Sequence, residues 1–252
     1  MIFIVFIYGL LIGSFLNVLI YRLPRNESVF FPSSHCSSCN TKLKWYDNIP
    51  LLSYIFLRSR CRYCNDKISI QYPFIELFNG ILYIILVNHF EISVDFVFYA
   101  LIGSVLVAIT VIDLREMIIP DSLVISILVL SIAHKGVNDY LYKISPNMIS
   151  SIGGLVLAGG IFLLIVIISK GGMGGGDVTL IGALGFIHGI NLILLNILLS
   201  FVLGAIISIF LLASKLKTKK DPIPFGPFII LAFFIVLLYG NYIINWYFDL
   251  FI

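Results

Sequence analysis

Two aspartates in this 252-residue chain stand where long apolar runs break: Asp113, directly after Ile112, and Asp177, which closes the glycine-rich stretch Gly171-Gly172-Met173-Gly174-Gly175-Gly176. An ionisable side chain at the edge of an apolar span is costly to keep there, which makes each carboxylate a candidate functional group. Two carboxylates brought face to face cannot both ionise cheaply and share a proton. The ionised member can then activate water while the protonated one donates to the carbonyl oxygen of a peptide, which is aspartic-peptidase chemistry. Gly174, Gly175 and Gly176 suit the same task, because backbone without side chains approaches an extended substrate closely and adopts angles barred to other residues. A phosphate loop is excluded: no Gly-Lys-Ser/Thr follows, and the register never gives G-x-G-x-x-G. Taken alone, these residues also allow an interhelical hinge with Asp177 as a helix cap. Asp121, after Pro120 and ahead of the next apolar run, reads as an N-cap rather than a member of the pair.

The four cysteines make a second constellation, Cys36-Ser37-Ser38-Cys39 and Cys61-Arg62-Tyr63-Cys64, with 21 residues between the pairs. Each pair places two sulfurs on one tight turn, and two such turns supply a closed tetrahedron for structural Zn²⁺. The other reading of the residues is four reduced or redox-active thiols. Asn40 and Asn65 follow the pairs, where the turn needs a positive φ; Asn accepts this best after Gly. His35 is not needed as a ligand beside four thiolates.

The elements that must hold these groups are membrane helices. Apolar residues make up 60% of the chain and charged residues 12%, against about 45–50% and about 25% in soluble domains, so the composition predicts an all-α polytopic membrane protein and excludes a disordered chain, a coiled coil or a nucleic-acid partner. Apolar segments at 2–21, 73–88, 95–112, 119–134, 148–169, 178–189, 191–213 and 226–245 predict about eight spans, the sixth short and its boundary with the seventh at His188 to Asn191. The first span has no basic residue ahead of it and reads as an uncleaved helix with its N-terminus outside. The inside loops then fall at 22–72, 113–118, 170–177 and 214–225 and hold 14 of the 16 Lys and Arg, leaving Lys135 and Lys143 outside, as the cytoplasmic excess of basic residues requires. Lys215 to Lys220 serve that orientation. Asp113 and Asp177 reach the same leaflet on separate helices. The chain divides into a first helix (1–21), a small cytoplasmic zinc-binding loop (22–72) in a reducing compartment, and a helical bundle (73–252).

Six ordered motifs resemble the bacterial type IV prepilin peptidases, GxGD-class membrane aspartic proteases: Gly13 to Pro24, the doubled cysteine pairs, Asp47 to Tyr54, Tyr72 to Leu77, Asp113 with Pro120-Asp121 and Gly174 to Asp177, and Pro222 to Pro227. The resemblance implies catalysis by Asp113 and Asp177 in a bacterial inner membrane. It implies prepilin or pseudopilin substrates, cut at the cytoplasmic face between a short basic leader and an apolar helix. It also implies methylation of the new N-terminus with S-adenosylmethionine by the loop 22–72. The chain departs from the family at Ser59, Asn40 and Asn65, where glycine is usual. Glu76, an intramembrane acid, is expected either to orient substrate or cofactor or to hydrogen-bond across a helix interface. The competing function is a non-enzymatic pilus or secretion scaffold with a zinc-stabilised docking loop, or a proton-coupled transporter, the latter disfavoured because the acids lie at one face rather than at the midplane.

Overall fold

The computed structural model describes residues 1–143, 145–170, 172–218 and 221–251; Gly171, Lys219 and Lys220, part of the loop readings above, lie outside them. Eight helices follow in order: α1 (Ile2–Arg22), the short α2 (Leu52–Phe56), α3 (Gln71–Phe90), α4 (Val94–Glu116), α5 (Asp121–Tyr142), α6 (Met148–Ile168), α7 (Gly175–Ala213) and α8 (Gly226–Phe251). All but α2 are long and apolar enough to cross a membrane, which makes seven such helices among the described residues where the sequence predicts eight spans. The difference lies at Gly189. Its φ of 70° and ψ of −177° break the 39-residue α7, and glycine is the residue that tolerates that φ. A straight helix of that length would reach about 58 Å, twice a bilayer core of about 30 Å. Instead the chain folds back. Before the break Gly185 abuts Gly154 of α6; after it Phe201 packs on Phe162 with ring centroids 5.8 Å apart. Leu192 then touches Gly240, and Gly204 touches Phe225 and Phe228. Segment 175–188 therefore runs antiparallel to α6 and segment 190–213 parallel to it, so α7 supplies two passes. Ser150 secures the reversal, its hydroxyl accepting from the Ile190 N–H at 3.2 Å.

Packing divides the chain into two compact units, Met1–Val111 and Ile112–Ile252. In the first, α1 lies on α3 through small residues four apart: a Cβ on Gly9 would stand 2.8 Å from the Gly80 Cα, and one on Gly13 2.8 Å from the Glu76 Cα. That approach lets fully buried Asn79 donate to the Gly9 carbonyl at 2.8 Å. Its own carbonyl accepts from Ser104 of α4 at 3.0 Å, so three helices share one polar node. Each such bond inside a bilayer contributes about 0.6 kcal/mol. In the second unit Gly154 and Gly185 play the corresponding part between α6 and α7, where a Cβ on either would run into the other's backbone.

Candidate active site and metal cluster

Asp113 and Asp177 both belong to the second unit. Asp113 stands in the last turn of α4 and Asp177 is the third residue of α7; both are buried, 5% and 7% exposed. The two carboxyl groups lie within Coulombic reach of each other. Asp113 is oriented by α8: its Oδ2 accepts the backbone N–H of Gly226, the first residue of that helix, at 3.0 Å. No side chain fits there, since a Cβ on Gly226 would stand 2.6 Å from that same oxygen. Ile119 fills the space alongside, 2.8 Å from where a Gly176 Cβ would be and 3.3 Å from where a Gly226 Cβ would be, so one side chain packs between the Asp177 turn and the start of α8 that holds Asp113.

The glycines before Asp177 serve packing and space rather than unusual angles. Gly174 has an ordinary φ of −72°, and Gly189 is the glycine with a positive φ among the described residues. A Cβ on Gly176 would strike Ile119, one on Gly174 would only touch Asp177 Oδ2 at 3.5 Å, and one on Gly175 would meet nothing within 4 Å. Asp121 is the exposed first residue of α5, and the N-cap position is Pro120's, not its own. A carboxylate there still meets the positive end of the helix.

The four cysteines converge. Their sulfurs all lie within 4.8 Å of one another, and Cys36 Sγ is 3.8 Å from Cys64 Sγ. Four sulfurs at the usual zinc–sulfur distance of about 2.3 Å form a tetrahedron with edges of about 3.8 Å, so the cluster can hold a metal ion of that kind. Two equivalent turns build it. Cys36 N–H donates to Thr41 O and Asn40 N–H to Cys36 O at 3.0 and 2.9 Å; Cys61 N–H donates to Asp66 O and Asn65 N–H to Cys61 O at 2.8 and 3.0 Å. The bridges His35 to Lys42 and Arg60 to Lys67 close them in the same register, 25 residues apart. Asn40 and Asn65 have φ of 54° and 60°, as their place after each pair predicts. Hydrogen bonding from the Thr41 side chain and backbone brings the Cys39 thiol down to about 6. The Asp66 backbone favours the Cys64 thiolate too, but burial and the three neighbouring cysteines outweigh it and push that thiol up to about 12.

The sequence reading gave Asp47 no task, yet it clasps the second turn. It accepts from Arg62 Nε at 2.7 Å, the Tyr63 hydroxyl at 3.1 Å and the Lys44 N–H at 3.2 Å. Burial works against its charge, but these donors prevail and hold its carboxyl below the usual range. The clasp therefore stabilises the loop fully above the ordinary carboxylate pKa and is lost as pH falls through the lowered value. Ser59 carries φ of 61° beside Arg58 at 51°, a conformation that costs a side-chain-bearing residue about 1–2 kcal/mol. Ser59→Gly should relieve that strain and slow proteolytic nicking of the loop by about fivefold, corresponding to about 1 kcal/mol. An unchanged nicking rate would show that the turn is not under strain.

With this geometry in hand, comparison with known proteins assigns the chain. Residues 7–90 match the bacterial Peptidase A24 N-terminal domain and residues 100–209 the type IV leader peptidase family. Over 269 residues the chain is 32% identical to the prepilin leader peptidase/N-methyltransferase of Aeromonas salmonicida, covering 96% of this chain and 92% of that one. The chain belongs to the type IV leader peptidase family. Its relatives of the same name include those of Xanthomonas campestris, 34% identical over 264 residues with 95% of this chain and 91% of that one covered, and of Bacillus subtilis, 32% identical over 249 residues with 98% of each covered. No solved structure matches the chain. In this leader peptidase the A24 N-terminal match contains all four cysteines and the leader-peptidase match both buried aspartates. What the sequence reading missed is Gly226 as the partner of Asp113; the signal was the unassigned motif Pro222 to Pro227.

Proposed function

We propose that the chain is a prepilin leader peptidase and N-methyltransferase of the bacterial inner membrane, with its N-terminus outside and its peptidase site at the cytoplasmic face. The observation that carries the peptidase reading is the buried pair Asp113 and Asp177, set on separate helices within Coulombic reach, one oxygen of Asp113 held by the Gly226 N–H. One carboxylate takes a proton from the attacking water while the other gives its proton to the oxygen of the scissile carbonyl. The tetrahedral intermediate then collapses, and its nitrogen leaves with a proton as the new α-amine. Gly174 and Gly175 leave backbone open for the extended substrate strand, and Gly176 keeps the Asp177 turn against Ile119. The second activity adds a methyl group, supplied by S-adenosylmethionine, to that amine. It belongs to the loop 22–72, where Cys36, Cys39, Cys61 and Cys64 hold a structural Zn²⁺ that joins the two turns.

The decisive experiment is to incubate the purified chain in liposomes with a prepilin, with and without S-adenosylmethionine, and weigh the product. The reading predicts a chain shortened by its leader in both reactions and heavier by one methyl only with the donor. An uncut prepilin would refute the peptidase, and a cut but unmethylated one would refute the transferase. Gly226→Ala tests the orientation of Asp113 separately. Displacing a catalytic group by even about 1 Å can cost on the order of 10²-fold, so initial cleavage rates should drop by about that factor at equal protein level. An unaffected rate would mean that α8 does not set the geometry.

A further inference from the structure

The run Ile49 to Leu57 contains no charge, yet it lies within the polar loop, between Asn48 and Arg58. Its short helix α2 leaves Leu52, Ile55 and Phe56 bare, with 51%, 67% and 79% of their surface exposed. Leu51, just ahead of α2, has a φ of 60° that a branched side chain adopts only under constraint. The constraint is Glu76, whose Oε2 accepts the Leu51 N–H at 2.8 Å. Glu76 is no surface residue. It is 7% exposed, and its backbone packs on Gly13 of α1. Gly13 lies nine residues, about 13 Å, inside the charged end of α1 at Arg22, and Glu76 itself lies about 8 Å inside the start of α3. The Glu76 backbone thus lies within the apolar layer, and its side chain, leaning back toward the start of α3, draws the loop to the edge of that layer.

We propose that segment 49–57 is a re-entrant element seated among lipid acyl chains, with Glu76 as its internal anchor. Non-helical backbone at such depth must have its polar groups satisfied by protein, and the carboxylate provides this at Leu51, where α2 has yet to begin. An apolar run too short to span is the kind that forms re-entrant or interfacial segments. The surroundings continue the same lipid-facing surface: Ile70 and Phe74 at the head of α3 are 76% and 65% exposed. At the end of α1, Arg22 donates to the carbonyls of Ser28, Val29 and Pro32, pinning the turn that carries the exposed Phe30 and Phe31 to the membrane exit. The loop as a whole has eight basic residues against three acidic ones, and exposed Arg25 and Arg58 flank these apolar elements, which suits anionic headgroups and repels a basic peptide. The occupant is therefore lipid.

The chain has two tryptophans, Trp45 and Trp246. In a Trp45→Phe, Trp246→Phe background, in nanodiscs of phosphatidylcholine and phosphatidylglycerol brominated on their acyl chains, Phe56→Trp and Ile55→Trp should each lose emission as strongly as Ile81→Trp, a lipid-facing reference on α3. Lys67→Trp, on the second cysteine turn, should keep its emission. Glu76→Gln, which retains the acceptor oxygen, should preserve the quenching at position 56, and Glu76→Leu should abolish it. Quenching at 55 and 56 no stronger than at 67 would overturn the proposal. Emission protected from both the bromines and an aqueous quencher would overturn it in favour of a protein cover, such as a second copy of the chain. Because the substitutions at 55 and 56 leave Glu76 in place, the result does not depend on the Glu76 variants folding.

Discussion

Asp113→Asn and Asp177→Asn are each expected to reduce leader removal by about 10⁴-fold or more, and the double variant by no more than either alone, because groups acting as one unit are not additive. Asparagine keeps the shape of the carboxylate and an oxygen for the Gly226 N–H, so the fold at Asp113 should survive while the ability to exchange a proton is lost. Asp121→Asn, at the exposed start of α5, should retain most activity. The measurement is the initial rate of leader release from a prepilin by equal amounts of membrane-inserted enzyme. Full cleavage by either single variant would remove that residue from the mechanism, and a dead Asp121→Asn with an active Asp113→Asn would move the site to the start of α5.

Removing the metal ligands should have an equally large but different effect. The double variant Cys61→Ser, Cys64→Ser is expected to lower bound zinc from one per chain to none. A structural zinc site contributes on the order of 10 kcal/mol to the folding of a small element, far more than the Asp47 clasp and two isolated bridges can supply. The two cysteine turns should therefore unfold and methyl transfer fall to background. Leader removal should persist within about tenfold, since Asp113, Asp177 and Gly226 all belong to the other compact unit. Metal analysis of protein never exposed to chelator, together with mass spectrometry of the processed pilin, reads both arms. Zinc-free wild-type protein would refute the site, and methylation by the variant would remove the loop from that reaction.

Much of this was legible in the sequence because it is local or periodic. The cysteine turns declared themselves through doubled spacing, and the φ of Asn40 and Asn65 followed from their place in the turn. Charge-free runs marked the passes, and the break His188 to Asn191 inside the longest of them marked the reversal at Gly189, which continuous helix length alone conceals. The contacts that stayed hidden join distant parts of the chain. Gly226 meets Asp113 across 113 positions, and no rule of spacing connects a backbone N–H with a carboxylate so far away. The bond between Leu51 and Glu76 was hidden for another reason: Glu76 was legible as an intramembrane acid, but a loop rich in Lys and Arg reads as wholly aqueous, and the nine uncharged residues inside it were too few to register as a span.

The reversal at Gly189 also governs what surrounds Asp177. The pass that carries Asp177, segment 175–188, has 14 residues and rises only about 21 Å, some 9 Å less than an average hydrocarbon core. Residues 180–186 are all buried, so protein rather than lipid covers this short stretch. The exposed backbone of Gly174 and Gly175, just ahead of Asp177, is then the side from which water can reach that carboxylate without passing through acyl chains.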